Sequence, residues 1–121
     1  MTISRSFFAS VVVAATLCAP AAQASSFAAW EVANVAWDDV LNVRAWPSAK
    51  SAIRAGYPNG TPLSMTGRCM NGVDLKNIAV LPQDEQVQMV RYTWCEVWHD
   101  PSNTGDWQTG WVYGRYIQPQ Q

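Results

Sequence analysis

The chain has 121 residues, 8 Lys+Arg against 9 Asp+Glu, and a formal net charge of -1. That length holds one domain and excludes a two-domain enzyme, and the charge excludes the basic footprint of a nucleic-acid binder. With 14% charged residues, 7 Gly, 7 Pro and 7 Trp, the composition describes a small aromatic-rich, turn-rich globule rather than a disordered polyelectrolyte or a helix bundle.

The first 24 residues read as an export signal. Arg5 is the only charge ahead of residues 7–18, an uncharged run of 12 (FFASVVVAATLC). Pro20 breaks the run, and Ala22-Gln23-Ala24 places small residues at the two positions a signal peptidase reads. Twelve residues also fall short of the ~20 needed to cross a bilayer. Leu17 stands where a lipid-anchored cysteine needs a small neighbour, so Cys18 is expected to leave with the signal after cleavage at Ala24. Removing 24 of 121 residues leaves 97, with 7 basic against 9 acidic side chains and all seven tryptophans. No second hydrophobic run remains, so the expected product is a periplasmic or secreted monomer with no membrane attachment.

Cys69 and Cys95 then remain, and an even count in an exported chain predicts a disulfide. A metal site is not expected, because His99 is the only histidine and zinc takes three or four protein ligands. A nucleophilic Cys95–His99 pair is conceivable on spacing, but an oxidised sulfur is no nucleophile.

Short strands separated by strong turn signals follow in chain order. Residues 30–35 (WEVANV) alternate loosely with period two, Asp38-Asp39 marks a turn, and residues 40–44 (VLNVR) alternate again. Pro47-Ser48 opens a loop, residues 52–55 form a short strand, and Pro58-Asn59-Gly60 is a hairpin turn leading into a strand over 62–69. Asn71-Gly72 breaks that strand. Pro82, the acids Asp84 and Glu85, the apolar Val87, Val90 and Trp94, and Arg91 near the end predict a short helix. A continuous strand from Gln86, supported by the alternation of Val87 and Met89, is the weaker alternative. Strands are expected at 94–99 and 108–113, with residues 100–105 a polar turn and Tyr116-Ile117 closing the fold. The pattern is all-β: a small barrel or sandwich of five or six short antiparallel strands with a helical insertion around 72–92.

Three segments resemble the bacterial SH3-like (SH3b) domain family. Residues 41–48 (LNVRAWPS) look like its LNVRxGPS signature, and residues 57–63 (YPNGTPL) resemble its Gly-centred hairpin. Residues 94–97 (WCEV) with 110–117 (GWVYGRYI) resemble its WxkV…GWVxxxYl ending. The three occur in the family's order over roughly residues 30–118, most like small exported single-domain members from Gram-negative bacteria that carry a comparable cysteine pair. The resemblance implies an SH3-like barrel, with Leu41, Val43, Val97, Trp111 and Val112 in the core. Gly60 would serve the turn and Gly110 a close strand approach. Trp94 is also assigned to the core. Two departures stand out: Trp46 replaces the usual Gly, and residues 70–93 form a longer insertion.

The implied role is binding rather than catalysis, directed at a peptidoglycan peptide or an envelope protein. A shallow groove of aromatic rings would hold an extended ligand. The candidate ligand-binding residues are Trp46, Tyr57, Trp98, Trp107, Tyr113 and Tyr116. Arg44 and Arg115 are candidates to grip a carboxylate, with a surface ion pair the plainer reading. Adjacent strand residues face opposite ways, so Asp38-Asp39 reads as a turn and not a catalytic pair. His99 is expected at the surface beside a turn. No cofactor is expected. An alternative is a structural or regulatory partner of an exported enzyme acting through residues 70–93. A small hydrolase ranks last, since no nucleophile, base and oxyanion donor can be assembled.

Overall fold

The computed structural model describes residues 29–120; the expected signal, its Ala24 cleavage point and Cys18 lie outside them. The strands are β1 (Trp30–Val32), β2 (Leu41–Arg44), β3 (Ile53–Tyr57), β4 (Pro62–Cys69), β5 (Trp94–His99), β6 (Gln108–Tyr113) and β7 (Ile117–Pro119). Helices α1 (Leu75–Ile78) and α2 (Gln83–Val90) lie between β4 and β5, and a 3-10 turn (Gly114–Tyr116) precedes β7. The protein is therefore all-β with a helical insertion.

Two expectations about the sheet are corrected. There are seven strands among the described residues rather than five or six, because β1 also pairs with β7. Their order is β3-β2-β6-β5-β4-β1-β7, antiparallel throughout, with no ladder joining β3 to β7, so the sheet does not close into a barrel. Strand β4 makes the bend that such an open, curled sheet needs. Pro62 and Leu63 pair with β1, while Ser64, Met65 and Cys69 pair with β5. The register shifts between Met65 and Cys69, where Gly67 takes φ 101°. A residue without Cβ at that bulge lets the strand turn without steric cost. Strand β1 is shorter than its sequence pattern because Asn34, at φ 63°, ends it.

The core draws on every strand but β3, whose Ala55 and Tyr57 only pack against it half-buried. Trp30, Val32, Leu41, Val43, Val97, Val112 and Ile117 are buried, joined by Leu75, Ile78 and Val90 from the insertion. Helix α1 is short but capped: the Asp74 side chain accepts from the Lys76 amide at 2.9 Å, as an N-terminal cap does. In α2, Pro82 stands at the cap, and Asp84 and Glu85 in the first turn complement the helix dipole. The helix that Pro82, the acids and Val90 predicted is thus present. Gln86, buried, donates to the Leu81 carbonyl at 2.8 Å and locks the inter-helix link. Cys69 and Cys95 are bonded, and they sit directly opposite one another on β4 and β5.

Period two decides which β5 and β6 residues see the core. Cys95, Val97 and His99 face inward from β5, as do Gly110 and Val112 from β6; Trp94, Glu96 and Trp98, with Trp111 and Tyr113 opposite, take the other face. A Cβ on Gly110 would run into Val43 Cγ1 and come within 3.3 Å of the Arg44 carbonyl, so glycine is required where β2 crosses β6. His99, expected at the surface, is only 4% exposed, because its strand position places it on the core face beside Gly110.

Candidate aromatic groove

The outer face of β5 and β6 continues into a groove of about 660 Å³, within the range of small-ligand and peptide sites. One side is an aromatic row. The ladder places Trp94 opposite Tyr113, with ring centroids 5.2 Å apart and a 55° tilt. Tyr113 in turn meets Tyr116 at 6.4 Å and 56°. Tilted packing of this kind suits the ring quadrupoles and fixes each ring's orientation. Trp111 is next in the row but closed off: the Arg68 guanidinium lies 5.5 Å over its ring.

The opposite wall is residues 34–41, and long-range polar contacts hold it there. The Asn59 side chain takes the Val35 amide at 3.0 Å and donates back to the Val35 carbonyl. Asn34 donates to the Arg115 carbonyl at 3.2 Å, and the Ala33 amide to the Tyr116 carbonyl at 2.8 Å. Asp39 ends a turn, its amide donating to the Ala36 carbonyl at 2.9 Å, and its side chain accepts from the Val40 amide at 2.7 Å. Gly60, at φ 85°, donates to the Val32 carbonyl and keeps the Asn59 hairpin close. Arg44 borders the groove while bonding the Ser51 carbonyl at 2.9 Å. One cation and one anion, Arg44 and Asp39, thus flank a trough lined otherwise by the three rings, by Asn34 and Asn42, and by the aliphatic Val35, Ala36, Val40, Leu41 and Ala49.

The sequence candidates separate into three settings. Tyr113 and Tyr116, both half-buried, line the groove. Trp46 (70% exposed), Trp98 (46%) and Trp107 (58%) project to solvent without bordering it. Tyr57 is half-buried against the core, and burial followed by the negative charge of Asp100 pushes its phenol above the usual value. Trp94, assigned to the core from sequence, instead forms part of the groove. The β5 alternation was the available signal, since it puts Trp94 on the same face as Glu96 and Trp98. Asn34 and Asn59 have no comparable sequence signal.

Cys95 and His99 lie four residues apart on one strand, about 13 Å along it, so they do not form a catalytic dyad, and Cys95 is bonded to Cys69. Among the described residues no three His, Cys, Asp or Glu side chains converge as metal ligands, and no helix is long and apolar enough to cross a membrane. Compared with known proteins, the chain matches no family model, no curated protein and no solved structure.

Proposed function

We propose that this protein is a non-catalytic exported binding module of the bacterial SH3-like type, holding an extended cell-wall peptide in the aromatic groove. The observation that carries the reading is the Trp94–Tyr113–Tyr116 row along a trough whose other wall sets the aliphatic Val35, Ala36, Val40 and Leu41 beside the Asn34 amide. Rigid rings supply contact area at little entropic cost, and they accept backbone-rich ligands irrespective of side chain. The Cys69–Cys95 bridge suits an oxidising, extracytoplasmic compartment, in keeping with a Sec-type signal cleaved after Ala24.

Co-sedimentation with purified peptidoglycan sacculi tests it. The purified protein should be retained, and Tyr113→Ala or Tyr116→Ala should reduce retention about tenfold without loss of fold. Retention lost in Trp46→Ala or Trp107→Ala but kept in the two tyrosine variants would move the site out of the groove. A second reading, a partner of an exported enzyme, draws on the insertion, which leaves Val80, Met89 and Tyr92 exposed. No retention on sacculi together with one specific cross-link to residues 80–92 would favour it.

A further inference from the structure

We propose that the groove ends in a carboxylate-binding subsite built by Arg91 and Arg115, so that the peptide it holds must carry an anionic group; the inference rests on the groove reading above. A second pocket, about 340 Å³, is bordered by Asn34, Val87, Arg91, Arg115 and Tyr116. Asn34 and Tyr116 also line the groove, so a chain lying along the aromatic row reaches the two arginines without leaving the surface.

Their juxtaposition is built into the backbone. Arg91 follows the last residue of α2, and Arg115 is the middle residue of the 3-10 turn. These two elements touch through Gly114. A Cβ there would collide with the Val90 carbonyl group and stand 3.0 Å from the Thr93 oxygen. The Gly114 amide donates to that Thr93 carbonyl at 2.7 Å. Each arginine is thus the immediate neighbour of a residue in the contact, Val90 or Gly114. The inserted helix thereby extends the groove rather than covering it.

The charge is uncompensated. No acidic side chain borders the pocket. Arg91 Nε is buried with no hydrogen-bond partner, and the Arg91 guanidinium is otherwise met by the Tyr92 ring at 5.7 Å. The Arg115 side chain has no hydrogen bond or ion pair among the described residues; only its carbonyl is engaged, by Asn34. Leaving a buried charged donor unmade is costly, and two like charges on one pocket repel. An anion relieves both. The planar guanidinium fork matches a carboxylate in a bidentate manner, and a peptide delivered by the groove supplies one at its terminus or on an acidic residue.

Calorimetry on the purified, disulfide-bonded protein tests this with the synthetic pentapeptide L-Ala-γ-D-Glu-L-Lys-D-Ala-D-Ala, as free acid and with both carboxylates amidated. The free acid should bind about tenfold or more tightly than the diamide, and rising salt should narrow that gap. Arg91→Gln and the exposed Arg115→Gln should each weaken the free acid about tenfold and leave the diamide unchanged. Equal affinity of the two forms for the unaltered protein would overturn the subsite while sparing the groove. No binding of either form would overturn the groove reading and the subsite together.

Discussion

Opening the Cys69–Cys95 bridge measures how much of this small domain rests on one covalent link. The two cysteines are register partners on β4 and β5, so the bridge does not create their pairing; it shortens the unfolded chain's list of conformations. The residues it encloses carry both helices and Trp94. A sequence separation of 26 gives a loop-closure contribution of about 3.5 kcal/mol at 25 °C. A domain of this length has roughly 5–14 kcal/mol in all, so the loss is a quarter to more than half of the total. The perturbation is the double variant Cys69→Ala/Cys95→Ala, read by equilibrium urea unfolding. With a slope of about 1.5–2 kcal/mol/M, the midpoint should fall by about 2 M. Cys95 is fully buried, and removing its sulfur from the core adds to the loss. A midpoint shift below about 0.5 M would therefore refute the loop-closure argument and mean that residues 70–94 are already restricted in the unfolded chain.

Gly114→Ala should cost about 3 kcal/mol, because its Cβ would meet backbone atoms of Val90 and Thr93 that have no rotamer to escape into; thermal melting checks it, and an unchanged midpoint would contradict the tight contact. Burial, and then the positive charge of Arg54, hold the His99 imidazole below its usual 6.5, against the smaller upward pull of Asp100. The unfolded chain then binds the proton more readily. Stability is full above about pH 6.5 and is lost as the pH falls from there toward the lowered folded value. Urea midpoints at pH 7.5 and 5.5 should show the drop, and His99→Leu should flatten it. A drop that persists in that variant would assign it to other groups.

The strands over 62–69, 94–99 and 108–113 were legible to the residue, because period-two patterning between Gly, Pro and Asn-rich turns is a local signal. Helix α2 was legible for the same reason, through Pro82 and the acids behind it. Helix α1 was not picked out, although Asp74 ahead of Leu75 and Ile78 is a cap followed by an apolar i,i+3 pair. The third strand was expected over 52–55 and runs over Ile53–Tyr57, since Leu41 and Asn42 of β2 supply partners for Tyr57 and Gly56. His99 was misplaced because its polarity and the turn beside it suggested solvent, whereas strand parity put it inside.

The candidate site was half legible. Tyr113 and Tyr116 stood out as aromatics near the last strand, but their meeting with Trp94 depends on the β5–β6 register. The far wall was invisible, because it is made by side-chain hydrogen bonds from Asn59 and Asn34 to carbonyls and amides tens of residues away.

By itself, then, the sequence determined what nearest-neighbour physics can encode: the β-rich class, most strand limits, the second helix and two cysteines available to pair. Tertiary structure alone decided that the sheet stays open and that Trp94 leaves the core for the groove. It also brought Arg91 and Arg115 onto one pocket. The physical reason is range. Alternation and turn chemistry act over a few residues, whereas the Gly114 contact and the Asn59 side-chain clamp join groups more than twenty residues apart, so they exist only once the chain has folded.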